Sequence, residues 1–554
     1  MRKRVIIGTF IAVVAALILF WQLGRASSPQ MERFLPADTL AFVEAANLSD
    51  QALQLVETQA WKALSEASPE LTTGFLLGAN YSGLLRANVA AALIRLQVND
   101  KSIEPVAVVL AESDDENFER SVALFLSNQF DQEQPTASTD YRGVSILSYG
   151  QDQHKHLSYA RIDDLFIFSD REGGLREVID VVRGGTASLA TNPRVVQMRQ
   201  RLGYTDGFFG FADGQQALHT VQTLQQSRQS CTSQEAVEAE QALRVFGLDS
   251  VTAIGGVSSF ERGGVVERLR IETRGGGAGV IRAFLNAPAR PHRVLSLVPA
   301  NADRVFVASM DGAVSVYDEI YNAFVQLAHP DEKAKMDAEL AELGVSLRDD
   351  LLASVGQEGA IIHLPLPEQN WDRAVLIAEV RDPVRLRQSV ERVASQHHLS
   401  LTEGGYAGRS LMTIKHEKTN HPMHIAFVDN FIAASDNTAA IEAVIDAYQS
   451  GNTISTSPLY QEAFAGRSSA PLFTFYGTNE HLLKLMARML GQAKGTDMAT
   501  PVETTALFPT VLYGVAEGDG LYIESYSPLG TFPHVLTGLM AHLSKVGANE
   551  RSHH

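Results

Sequence analysis

The sequence predicts an α+β protein in which an N-terminal transmembrane helix is followed by two tandem, duplicated domains of mainly antiparallel sheet with helices on one face. Three observations lead there. An uncharged apolar run opens the chain, a series of sequence blocks occurs twice in the same order, and each block alternates hairpin patterns with amphipathic helices. The expected boundaries are 1–26 for a basic tip and anchor, 27–290 for the first repeat domain and 291–554 for the second.

The run is Val5 to Leu23, preceded by Arg2, Lys3 and Arg4 and carrying Trp21 near its far end. Nineteen residues at about 1.5 Å each span about 28 Å, the thickness of the hydrocarbon layer. The basic cluster keeps the N-terminus cytoplasmic, which exports the body. Gly24-Arg25-Ala26 could pass for a signal-peptide cleavage site, but the run exceeds an ordinary signal core and Arg25 sits beside the cut. An uncleaved, single-pass inner-membrane anchor with a periplasmic or extracellular body is therefore expected.

Repetition sets the architecture. Tyr141-Arg142-Gly143 is matched by Tyr406-Ala407-Gly408, and strands ending in Ser-Asp follow at 161–170 and 427–436. The next helices share apolar positions: Leu175, Val178 and Ile179 against Ile441, Val444 and Ile445. Gly185 and Gly451 stand where a helix C-terminal glycine belongs, and Pro193 and Pro458 open a second helix. LPADTLAFVEA (35–45) parallels VPANADRVFVAS (298–309), and the strand–helix block at 105–126, with Asp114 in its loop, parallels 373–394, with Asp382. Two closing hairpins, 255–272 and 514–527, complete the correspondence.

The Pro-Ala-Asp start at Pro36, the Tyr-x-Gly of Tyr141 to Gly143, the strand Asp-Asp-Leu-Phe-Ile-Phe-Ser-Asp at 163–170 and the Ser188-Leu189-Ala190 turn carry a resemblance. Together they resemble an uncharacterised family of bacterial membrane-anchored proteins, of cyanobacterial and environmental-phyla type, known as a domain of unknown function. Here it occurs as two tandem halves. The resemblance implies a cell-envelope location and assigns no chemistry to any position.

Composition narrows the function. With 64 acidic against 46 basic residues the net charge is −18, and no basic stripe interrupts it, which argues against nucleic acid as a partner. One cysteine, Cys231, excludes an internal disulfide, and its Gln- and Ser-rich surroundings do not activate a thiol.

Candidate chemistry is sparse. His154 and His156, and His416, His421 and His424, occupy equivalent hairpins, a conceivable zinc or nickel arrangement. Without a cysteine or recurring carboxylate they read as solvated hairpin residues. Arg274-Gly275-Gly276-Gly277-Ala278-Gly279 lies where a phosphate-cradling loop would, but lacks the Lys-Ser/Thr pair and reads as a flexible turn. Gly256-Val257-Ser258-Ser259-Phe260 fails as a nucleophile elbow at its last position. Ser169-Asp170 and Ser435-Asp436 are expected to cap helices, and Asp163-Asp164 and Asp429-Asn430 to form turns. The stretches 215–242 and 479–505 read as exposed helical arms.

No catalytic, cofactor-binding or metal residue is assigned. The expected function is a non-catalytic envelope scaffold or binding module, holding an envelope protein or ligand in the groove between its halves. An extracytoplasmic hydrolase with a site between the halves and a carrier of an apolar ligand remain the alternatives.

Overall fold

A computed structural model describes residues 30–45, 48–67, 87–99, 102–130, 134–152, 155–205, 207–227, 241–327, 330–365, 373–415, 422–479, 507–528 and 530. The expected anchor lies outside them, and among the described residues no helix is long and apolar enough to cross a membrane.

Among the described residues ten strands form in the first half: β1 (Ala41–Ala45), β2 (Asn88–Asn99), β3 (Ser102–Glu112), β4 (Ala137–Tyr141), β5 (Val144–Asp152), β6 (Lys155–Ile162), β7 (Leu165–Ser169), β8 (Phe208–Asp213), β9 (Val251–Glu261) and β10 (Gly264–Thr273). Among the described residues of the second half ten follow: β11 (Arg304–Ser309), β12 (Val355–Leu364), β13 (Arg373–Val380), β14 (Ser400–Tyr406), β15 (Arg409–Lys415), β16 (Met423–Val428), β17 (Phe431–Ser435), β18 (Phe473–Gly477), β19 (Thr510–Glu517) and β20 (Gly520–Ser527). Every pairing is antiparallel. The first half runs β4-β5-β6-β7-β3-β2-β1-β8-β9-β10 across the sheet. The second repeats that order as β14-β15-β16-β17-β13-β12-β11-β18-β19-β20.

β10 pairs with β20, so the two halves share one continuous sheet. Aligning the hairpins places Gly264 opposite Gly520 in the repeat and therefore Arg268 opposite Glu524. Those two residues also face each other directly in the β10–β20 register. A local pseudo-twofold axis thus passes between Arg268 and Glu524. A symmetric pairing of identical strands would set a residue against itself here; duplication within one chain lets the two copies carry opposite charges.

Local chemistry fixes the hairpins. Tyr141 pairs with Val144 around Arg142 (φ 52°) and Gly143 (φ 73°), and Tyr406 with Arg409 around Ala407 (φ 47°) and Gly408 (φ 78°). Both are two-residue turns with two left-handed positions, the form whose twist suits a hairpin. Asp163 and Asp429, each at φ 54°, turn β6 into β7 and β16 into β17, as expected of Asp.

Helices Glu172–Val182 and Thr438–Ser450 cover equivalent places. Leu175, Val178 and Ile179 enter a core with Leu110, Ile146, Ile167 and Phe209, and Ile441, Val444 and Ile445 enter its counterpart with Val307, Ile362 and Ile377. Each helix is also tied to its Tyr-x-Gly hairpin. Tyr141 donates to Asp180 at 3.1 Å, and Tyr406 donates to Asp446 at 3.0 Å.

Several expectations need correction. Helices do not lie on one face only: helix Glu116–Phe130 packs Phe118, Val122 and Leu126 on Phe166 and Tyr149. Because side chains alternate along β7, that places it on the opposite face from Leu165 and Ile167. Ser169 and Ser435 do not cap the helices that follow. Each hydroxyl donates to the neighbouring strand, Ser169 to Ala107 O at 2.7 Å and Ser435 to Ala374 O at 2.8 Å, while accepting the N–H two residues on. Asn437 caps the second helix instead, accepting from Ala440 N. Gly184, rather than Gly185, takes the left-handed position after the first helix (φ 69°). Asp115 accepts the N–H of Asn117 at 2.8 Å at the start of helix Glu116–Phe130.

Candidate functional site

Where the halves meet, the sheet face bearing the two cores changes character. Between those cores runs a polar strip built on β9, β10, β20 and β19. Arg268 Nε lies 3.4 Å from Glu524 Oε2 and its Nη2 lies 3.3 Å from Glu261. Glu524 also lies 3.5 Å from Arg467 Nε and accepts from the Tyr522 hydroxyl at 2.9 Å. Burial pushes the Tyr522 and Tyr513 hydroxyls up, with Glu524 adding to both shifts.

Helix Pro193–Leu202 ends over this strip, terminated by Gly203 in the left-handed conformation (φ 63°). The helix end, the following Tyr204 and Thr205, the β9–β10 floor and Tyr522 enclose a cleft of about 430 Å³. Tyr522 belongs to the second half and the rest to the first, so both halves build it. Arg201 on its rim pairs with Glu272, which leaves each arginine of the cleft matched by a carboxylate.

A buried charge cluster stands behind the cleft. Arg199 bridges Glu32 (2.6 Å) and Glu44 (2.5 Å) and lies over the rings of Phe209 and Tyr204. Glu44 also accepts the N–H of Met31 at 2.9 Å, fastening the short 3₁₀ turn Met31–Phe34 to the first core. Burial pushes the Glu44 carboxyl up to about 7; Arg199 opposes the shift and Glu32 adds to it.

Of the candidate histidines the described residues include His156 on β6 and His424 on β16, which lie in different halves. His424 is buried, its two ring nitrogens 3.1 Å from Thr413 Oγ1 and 3.0 Å from Thr438 Oγ1, so it is a held core residue and not a solvated one. Burial lowers its pKa. His156 meets Ser158 at 3.1 Å, and His154, His416 and His421 lie outside the described residues, as does Cys231. Among the described residues no three His, Cys, Asp or Glu side chains are grouped to hold a metal. Gly275, Gly276, Gly277 and Gly279 all take positive φ in a turn whose Arg274 N–H bonds to Ser250 O, before a helix of only seven residues. Of the two arms, helix Gly214–Ser227 is described, with alternating half-buried and exposed positions as far as Thr220. All but the first residue of 479–505 lies outside the described residues.

On the opposite face of the sheet, large apolar side chains meet solvent at corresponding strands. Val109 on β3 is 45% exposed, and Leu376 on β13, its counterpart, is 55% exposed. Ile361 (45%) and Phe306 (41%) sit beside Leu376 in register.

The sequence profile of a family described as Protein of unknown function (DUF3352) matches residues 85–244 and 290–530, one segment in each half. The chain belongs to that family. The DUF3352 match accords with the two tandem halves seen in the strand order. None of the curated proteins matches the chain. Two solved structures of TP0453 are similar over part of it. Crystal form III has a TM-score of 0.24 at 12% identity, covering 44% of this chain and 80% of its own. Crystal form I has a TM-score of 0.23 at 10% identity, covering 45% of this chain and 98% of its own. At such TM-scores the likeness carries no argument about this DUF3352 chain.

The cleft was not legible in the sequence, because Gln200, Ser259 and Tyr522 come together only through the β10–β20 pairing. One signal was present: the repeat sets Arg268 against Glu524, a charge reversal at equivalent positions.

Proposed function

We propose that this chain is a non-catalytic, membrane-anchored protein of the bacterial envelope, held by the 5–23 segment with its body outside the cytoplasm, and that it binds an envelope component or ligand between its halves. The observation that carries this reading is the cleft at the pseudo-twofold seam, to which both halves contribute. Its charges are already paired within the protein, an arrangement that presents fixed hydrogen-bonding groups to a bound partner. The apolar run and its basic flank support the anchor and its orientation. A phosphatase reporter active only outside the cytoplasm, fused after His554, should be active, and the protein should stay in the membrane pellet after a high-salt wash. An inactive reporter on a stably produced fusion would refute the topology.

A second reading, a carrier of an apolar ligand, is favoured by the exposed Val109, Phe306, Ile361 and Leu376. Lipid extraction of the purified full chain tests it. Stoichiometric lipid that is lost in Ile361→Glu/Leu376→Glu would support it, and lipid-free protein would argue against it.

A further inference from the structure

We infer that the seam cleft takes a neutral, hydroxyl-rich ligand of the saccharide class; this rests on the reading of the cleft as a binding site and adds the chemistry of its occupant. Charge decides the first step. Arg268 is shared between Glu261 and Glu524, and Arg201 is held by Glu272. An anionic ligand would have to compete with these carboxylates for the guanidinium groups. It would also approach the C-terminal end of helix Pro193–Leu202, where the helix dipole is negative. A cationic ligand would meet two arginines. A ligand without net charge leaves every one of these ion pairs intact.

Polarity decides the second step. Gln200, Thr205 and Ser259 border the cleft with the two arginines, and its apolar lining is limited to Leu202 and Val257 besides the tyrosine rings. An apolar ligand would strip water from amide, hydroxyl and guanidinium groups without replacing their hydrogen bonds, which is unfavourable. A polyhydroxyl ligand both donates and accepts. It matches guanidinium and amide donors on one side and the Glu261 carboxylate and hydroxyl oxygens on the other. Tyr522, from the second half, adds aromatic surface, which suits the C–H face of a sugar ring, while the Tyr204 ring is already covered by the Arg199 guanidinium and serves as wall; aromatic side chains with a polar tip serve such mixed surfaces well. The volume of about 430 Å³ falls within the range of small-molecule sites.

The test uses the full chain in detergent micelles and three neutral probes: maltotetraose, cellotetraose and the tetramer of N-acetylglucosamine. Isothermal titration should give saturable binding of at least one. Thr205→Trp, on an exposed loop position at the rim, should weaken that binding at least tenfold with an unchanged melting temperature. Glucose 6-phosphate and tetramethylammonium, the charged controls, should not bind. No saturable heat from any neutral probe at millimolar concentration, or binding indifferent to Thr205→Trp, would overturn the proposal. A photo-crosslinking residue placed at position 205 in living cells separates the two levels. If the sugars fail and the crosslinker captures a protein, the saccharide class is wrong and the cleft is still a binding site. If the sugars fail and nothing is captured, both readings fall.

Discussion

Neutralising the axial ion pair should loosen the joint between the halves, and the size of the effect can be worked from the structure. Arg268 and Glu524 are direct partners on β10 and β20, the strand pair that joins the two repeats. Their 3.4 Å contact lies between side chains 25% and 15% exposed. At an effective dielectric of about 20, two unit charges at that distance attract by about 5 kcal/mol. Desolvation and residual solvent screening offset much of this, leaving a net coupling of about 1–2 kcal/mol. Arg268→Met leaves Glu524 to Arg467, and Glu524→Gln leaves Arg268 to Glu261, so each single variant retains one partner. Urea unfolding of the wild type, both single variants and the double variant should then give a double variant that loses about 1–2 kcal/mol less than the sum of the singles. The transition in either single variant should also broaden or split as the halves uncouple. Strict additivity, within about 0.5 kcal/mol, would refute the pairing across the axis.

Further outcomes follow from other contacts. The Glu44 carboxyl, raised from 4.5 to about 7, favours the folded state while protonated, so its contribution is full below pH 4.5 and is lost as pH rises through about 7. Glu44→Gln should flatten the fall in melting temperature between those limits, with Met31 and Arg199 still able to bond the amide oxygen and Glu32. Tyr141→Phe, which removes the hydroxyl donated to Asp180, should cost about 1 kcal/mol in denaturant melts. Gly184→Ala should cost about 1 kcal/mol through its left-handed φ, whereas Gly143→Asn should be nearly neutral, because Asn tolerates that conformation in a two-residue turn.

What could be read from the chain was whatever is decided within a few residues. The Tyr-x-Gly and Asp turns announce themselves because few residues accept positive φ, and the matched apolar helix positions identify one buried stripe in each half. Assignments failed where a side chain had a distant competitor for its hydrogen bond. Ser169 and Ser435 precede helices and look like caps, yet each finds a carbonyl on a strand about 60 residues away in sequence. The side taken by helix Glu116–Phe130 was hidden for a related reason: β7 is apolar at Leu165, Phe166, Ile167 and Phe168, so its sequence does not say which face is left for which helix. His424 was misread because Thr413 and Thr438, which bracket it, come from a neighbouring strand and a following helix.

Cysteine accessibility in whole cells bears most directly on the claim that an exported body presents a cleft between its halves. With Cys231→Ser as background, Thr205→Cys puts one thiol on the cleft rim of the full-length chain. A membrane-impermeant maleimide, applied to cells whose outer envelope is permeabilised but whose cytoplasmic membrane is intact, should label it fully, and a ligand in the cleft should slow the labelling. A thiol that reacts only after the cytoplasmic membrane is lysed would contradict the account.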